Sequence, residues 1–263
     1  EVGFLFGVAG RMLLGAITAL AACRFLGLGM SRERRALRAY LAAGLGIFSA
    51  MLAVYWAAQQ IHSGWIAVVF GTSPLVTALM ARLWFGGRPL SLHRLAGMGA
   101  GLAGLALVFK SGLRLDASAA LGVLAVLFAV ASHSLSALWV QRIAAPVPAL
   151  VRTSGGLLVA APLFLLAWTL FGGGWPAHIP PSAGGAILYL ALFGSVIGFA
   201  LYYQVLQHME ATKVALLTLV TPVSALALGH WANDEPLHAP ILLGTALILS
   251  GLALFQLGDR WWG

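Results

Sequence analysis

Charge is what this chain has least of: 8% of its 263 residues are Asp, Glu, Lys or Arg, against about 25% in soluble domains. So small a polar surface cannot cover a soluble globule of this length. With 61% hydrophobic residues, the chain is an integral membrane protein by composition. Acids are scarcest of all, seven Asp and Glu against fifteen Lys and Arg, for a net charge of +8. No acid falls inside an apolar run, which removes the usual carboxylate coupling sites for sodium or protons. The basic excess would suit nucleic acid, but these residues stand in short gaps between apolar runs, where membrane topology accounts for them. No nucleic-acid partner is expected. The single cysteine, Cys23, excludes an internal disulfide and any Cys-based metal cluster. No His-Glu-x-x-His occurs, and Gly194-Ser195 lacks the strand-turn-helix context of a nucleophile elbow. No catalytic residue, metal or cofactor is therefore expected, and the chain is not read as an enzyme.

What is present is a succession of apolar runs, each near the roughly 20 residues that cross a bilayer. They fall at 3–26, 38–60, 65–85, 94–110, 118–141, 148–171, 183–207, 213–232 and 239–258. The fold class is all-α, a polytopic membrane bundle of nine spans with short loops broken by Gly, Pro and charge. Lys and Arg on alternate sides divide twelve to three, the smaller set being Arg11, Lys110 and Arg114. By the positive-inside rule the loop Ser31–Arg38 and the C-terminus are cytoplasmic, and His62, His178 and Asp234-Glu235 lie outside.

The spans repeat. Gly46/Gly194, Tyr55/Tyr203, Gln59/Gln207, Ala67/Ala215 and Pro74/Pro222 all stand 148 residues apart. After one deleted residue the register continues at 147, with Arg88-Pro89-Leu90 facing Glu235-Pro236-Leu237 and Gly104-Leu-Ala-Leu facing Gly251-Leu-Ala-Leu. Arg11-Met-Leu-Leu-Gly and Arg152-Thr-Ser-Gly-Gly each open a span, five spans apart. Five is odd, so the copies cross the membrane in opposite senses, an inverted repeat of the kind found in transporters. The first repeat occupies 1–112 and the second 113–263, together one transport unit, with span 118–141 unpaired.

A Pro-containing span, a short turn before Pro-Leu and a closing Gly-rich span (Leu-Gly-Thr-Ala-Leu-Ile-Leu-Ser-Gly-Leu-Ala-Leu) resemble the EamA repeat of the drug/metabolite transporter superfamily, twice over nearly the whole chain. The resemblance implies ten helices in two inverted halves, and so a helix preceding Glu1. It also implies alternating-access movement of a small metabolite in the inner membrane, most often export of amino acids or related compounds. The family's turn usually reads Gly-Glu; Glu235 keeps the acid, and Arg88 replaces it in the first half.

Candidate solute-binding residues cluster on the repeated spans. Tyr55, Gln59 and His62 share one helical face at i, i+4, i+7, and Tyr203, Gln207 and Glu210 repeat it. These faces are read either as headgroup-level belts or as cavity walls offering hydrogen bonds and aromatic surface. Pro74 and Pro222 should each remove a helical bond, freeing the carbonyls of Phe70 and Thr218. Phe70, Ser73 and Thr77, with Thr218, Thr221 and Ser224, could line the opened backbone or serve as helix glue. His133 is the one histidine deep inside a span, with Trp139 nearby. It is a candidate for solute contact or proton coupling, against the alternative of a packing histidine bonded to a neighbouring Ser. Aromatic residues including Trp56, Trp139, Tyr202 and Tyr203 tilt the solute toward aromatic compounds. An intramembrane enzyme and a pore remain the alternatives from other classes; a pore would want polar rings along a continuous axis.

Overall fold

The computed structural model describes residues 2–86, 91–112, 117–172, 174–215, 224, 228, 230–231 and 239–261. Among them every regular element is helical: α1 (Phe4–Phe25), α2 (Arg34–Ala57), α3 (Ser63–Phe70), α4 (Ser73–Phe85), α5 (Leu92–Gly112), α6 (Ala117–Ile143), α7 (Ala149–Phe171), α8 (Pro181–Tyr189), a π-helical stretch Leu190–Ile197, α9 (Gly198–His208), α10 (Ala211–Ala215) and α11 (Ala239–Trp261). Among the described residues six spans are long and apolar enough to cross a membrane, counting α3–α4 as one and Pro181–His208 as one. α5 and α11 add helices of 21 and 23 residues where two further spans were expected. Most of the expected span 213–232 lies outside the described residues. Helix ends follow local chemistry: α4 stops at Gly86 in the left-handed conformation (φ 66°), and α8 starts with Pro181 in its first turn, where a missing N–H costs nothing.

The chain divides into two compact units that each draw on both halves of the sequence: Glu1–Tyr55 with Leu135–Glu210, and Trp56–Ser134 with Ala211–Gly263. In the first unit α1 and α7 run antiparallel. Phe6 meets Trp168 edge-on at 5.3 Å between ring centroids, while a methyl group at Gly15 would lie 3.6 Å from Leu157 Cδ1. Val8, Met12, Ala16 and Ala19 of α1 interlock with Leu157, Ala160, Ala161 and Phe164 of α7. In lipid there is no hydrophobic drive to bring helices together, so this contact rests on close packing of small and complementary side chains.

Two glycine contacts of this unit recur when repeat mates are exchanged. A methyl at Gly15 would sit 3.1 Å from Ser195 Cβ and 3.6 Å from the Ala191 carbonyl; one at Gly156 would sit 3.0 Å from Ala43 Cβ and 3.5 Å from Ile47 Cδ1. Gly15 and Gly156 are mates in the register of Arg11 and Arg152, and Ala43/Ala191 and Ile47/Ser195 are mates at 148. A two-fold relation predicts that pairing of contacts.

In the second unit α5 and α11 also run antiparallel, and their contacts exchange in the same way. Gly97 faces Gly251 and Gly104 faces Gly244, the methyl that Gly104 lacks falling 2.6 Å from the Gly244 carbonyl and the one Gly251 lacks 2.6 Å from the Gly97 carbonyl. Any side chain there would drive the backbones apart. Trp65, Val68, Val69 and Leu75 pack with Val123, Val126 and Val130 of α6 and with Ile248 and Phe255 of α11.

The span expected at 65–85 is broken at Gly71-Thr72, between α3 and α4. Pro74 stands at the start of α4 and opens the ladder as expected, but the freed carbonyls do not wait for a solute. Ser73 Oγ donates to the Phe70 carbonyl, and Thr72 Oγ1 to that of Val69 at 2.7 Å. Hydroxyl side chains compete well for backbone carbonyls at such breaks.

Candidate functional site

Two arginines enter the interior of the first unit. Arg11 is 9% exposed and Arg152 3%, and neither has a carboxylate partner among the described residues. Antiparallel packing of α1 on α7 puts Arg152 level with the stretch around Leu20, roughly 15 Å along the axis from Arg11 at 1.5 Å per residue. The two repeat-related guanidinium groups thus stand toward opposite ends of one helix pair.

Arg11 is gripped by hydroxyls. Its Nε donates to Ser195 Oγ at 2.9 Å and its Nη1 to Tyr55 OH at 2.9 Å. Nη2 has no acceptor among the described residues, and it packs so close to Gly194 that a methyl there would lie 3.0 Å from it. Ser195 reaches Arg11 from the π-helical stretch, whose i to i+5 winding widens the helix and recurs at functional sites in proteins.

Arg152 is held differently. Its Nη2 donates to the Ala145 carbonyl at 2.9 Å, while its Nε is buried without a partner. The hydroxyls of Tyr203 and Tyr40 lie within Coulombic reach. Tyr203 is the mate of Tyr55, so each arginine keeps the corresponding tyrosine close. The mate of Ser195, however, is Ile47, which offers no acceptor. Just above, Gln207 Nε2 ties α9 to the Val147 carbonyl at 2.8 Å in the connection that precedes α7.

The residues expected from sequence fall in several places. Tyr55 and Tyr203 lie in the first unit beside the arginines. The shared face of Tyr55, Gln59 and His62 does not form, because α2 ends at Ala57; Gln59 sits exposed in the following turn and His62 opens α3. Tyr203 is buried in α9 and Gln207 lies on the same helix, but Glu210 follows its end. In the second unit Phe70 and His133 pair, with ring centroids 5.9 Å apart. Thr77 Oγ1 donates to Ser134 Oγ at 2.8 Å inside the core. Ser73 and Pro74 are buried at the α3–α4 break. Trp139 is 48% exposed on α6 in the first unit. Thr218, Thr221 and Pro222 lie outside the described residues, and Ser224 is exposed. From the sequence alone, Arg11 and Arg152 serve as topology and repeat markers, not as site residues, and Ser195 is set aside for want of a nucleophile elbow. The signal that finds them is an ionisable residue inside an apolar span, which faces a bundle interior and marks a functional position.

The chain resembles known proteins over most of its length. It is 30% identical over 202 residues, 76% of this chain, to the uncharacterized inner membrane transporter YedA of Escherichia coli K12, spanning 64% of that protein's length. It is 27% identical over 243 residues, 88% of this chain and 81% of the relative, to a probable amino-acid metabolite efflux pump of the same organism. The uncharacterized transporter YoaV of Bacillus subtilis is 24% identical over 92% of this chain and 83% of its own. One crystal structure, described only as that of a protein, shares the fold, with a TM-score of 0.74 and 23% identity over 99% of this chain and 89% of that one. The profile of the EamA-like transporter family matches residues 1–110 and again 120–257, on either side of the point where the repeat begins anew. A match to both halves accounts for the exchange of contacts within each unit, and the chain belongs to the EamA-like transporter family.

Proposed function

We propose that this chain is a secondary transporter that moves a small organic metabolite by alternating access, and that its solutes are amino acids or related compounds carried outward. The observation that carries this reading is the recurrence of contacts between repeat mates, Gly15 on Ala191 and Ser195 with Gly156 on Ala43 and Ile47, and Gly97 on Gly251 with Gly104 on Gly244, in a chain of the EamA-like family. Two halves of similar structure and opposite sense can adopt each other's conformation, which opens a central site to one side and then the other. The similarity to a probable amino-acid metabolite efflux pump supports the solute class. Residues 1–112 and 113–263 then act as the two repeats of one unit, with Arg34 and the C-terminus cytoplasmic and the lipid bilayer and the solute as partners.

Tyr55 and Tyr203, repeat-related and beside the two arginines, are the best-supported solute contacts. Phe70 with His133 forms a second aromatic and polar pair, and His133 is the candidate for proton coupling. Ser73 and Pro74 act in this scheme by shaping the break rather than by offering free backbone. The test is counterflow in proteoliposomes with the twenty L-amino acids, with and without a pH gradient. Saturable exchange is the expected result. Flux that rises linearly with solute and shows no exchange would instead mark a pore. His133→Gln and His133→Leu separate its roles: loss of gradient-driven accumulation with exchange retained in the Gln variant assigns coupling, and normal transport in both returns His133 to packing.

A further inference from the structure

Resting on the transport reading, we propose that Arg11 is the docking point for a carboxylate on the solute, bound at its Nη2 edge. A guanidinium cannot be neutralised at physiological pH, and taking it out of water costs several kcal/mol unless an anion or several hydrogen bonds compensate. Arg11 is nine-tenths buried in a membrane span, yet its bonding partners are two neutral hydroxyls. No acid lies on any element that holds it. Ser195 and Tyr55 fix the fork by Nε and Nη1, leaving Nη2 without an acceptor among the described residues and close to Gly194, whose missing Cβ would lie 3.0 Å from it. A cation preorganised by neutral acceptors, with no counter-ion among the described residues, selects an anionic ligand, and the planar fork matches a carboxylate. An alanine at 194 would obstruct that edge; glycine leaves it open.

The experiment uses the full chain in proteoliposomes and compares counterflow of the twenty free L-amino acids with that of the corresponding L-amino-acid amides, which keep the ammonium and side chain and lose the carboxylate. The wild type should exchange one or more acids and discriminate against their amides. Arg11→Gln should raise KM for those acids by about 10- to 100-fold, the cost of a hydrogen bond to a charged group, and so narrow the difference in KM between acids and their amides. Gly194→Ala introduces a better helix former and so preserves folding; it should raise KM for the acids several-fold by crowding Nη2, without altering kcat. Arg11→Lys should recover part of the discrimination. Amides exchanged as well as acids by the wild type, or acids exchanged by Arg11→Gln and Gly194→Ala with unchanged KM, overturns the proposal and leaves the transporter intact. If neither set is exchanged by the wild type, the transport reading fails and this proposal with it.

Discussion

Arg11 and Arg152 occupy equivalent places in two copies of one sequence pattern, and only Arg11 has a partner for its Nε. The scaffold around them is common: a glycine four residues on (Gly15, Gly156), an alanine (Ala191, Ala43) packed on it, and a tyrosine (Tyr55, Tyr203) near the guanidinium. One part of the difference lies in a single residue. Ser195 accepts from Arg11 Nε, whereas Ile47 at the mate position leaves Arg152 Nε buried without a partner. Repetition thus fixes the helix packing, which depends on small residues and tolerates little change, while single side chains at the interior face remain free to diverge. In an alternating carrier the two ends meet the solute from different compartments, and unequal affinity at the ends is a useful property.

The strongest way to break the contrast is to give the Arg11 side its mate's residue. Ser195→Ile removes the acceptor of Arg11 Nε and forces a branched chain against Gly15, where Ser195 Cβ already sits close. Overpacking and an orphaned charged donor together should cost about 3 kcal/mol or more. A fall of many degrees in the melting temperature of the detergent-solubilised protein is the expected result. Unchanged melting would mean that Ser195 is no part of the grip on Arg11.

A milder cut compares the two tyrosines. Tyr55→Phe removes the acceptor of Arg11 Nη1 and should destabilise by about 1.5–3 kcal/mol, as for hydrogen bonds to charged groups. Tyr203 has no such bond from Arg152, which turns its Nη2 to Ala145 instead, so Tyr203→Phe should cost less than about 1 kcal/mol. Equal losses in the two variants, read from denaturant or thermal unfolding, would show that the difference between the ends is not one of hydrogen bonding.

Much of this could be read from the sequence, for reasons that differ by level. Spans follow from apolar length, and the antiparallel pairing of repeat mates follows from the odd number of spans between copies; both are properties of pattern. Gly97/Gly244 and Gly104/Gly251 announced close packing, and the structure uses all four. The interior contacts were harder, because Arg11 finds Ser195 at a separation of 184 residues and Tyr55 at 44, and no local rule links them. The repeat register pairs Tyr55 with Tyr203 and Ser195 with Ile47, but it joins neither to Arg11. Where local rules did mislead, a competing local rule was responsible. The face of Tyr55, Gln59 and His62 assumed that the helix ran on, but it ends at Ala57, where the N–H groups of Gln60 and Ile61 both turn back to the Ala57 carbonyl. The opening at Pro74 assumed an unclaimed Phe70 carbonyl, and the adjacent Ser73 hydroxyl claims it.

The smallest expected effect is also the one that separates scaffold from side chain most cleanly. If the repeat builds the same frame at both ends, a serine at 47 should do for Arg152 what Ser195 does for Arg11. Ile47→Ser also loses a buried side chain, so its absolute stability is uninformative; Ile47→Ala loses nearly the same packing and serves as the reference. Serine is ordinarily no better than alanine inside a helix, and slightly worse by propensity. Here it would offer an acceptor to a buried charged donor that has none, which should make Ile47→Ser more stable than Ile47→Ala by about 1–2 kcal/mol. The expected reversal is read from paired unfolding curves in the same detergent. It should vanish when both substitutions are repeated on an Arg152→Gln background, because the double-mutant difference isolates the pair. If alanine and serine at 47 are equivalent with Arg152 intact, the Arg152 side chain follows a path that Arg11 does not, and the likeness of the two ends stops at the backbone.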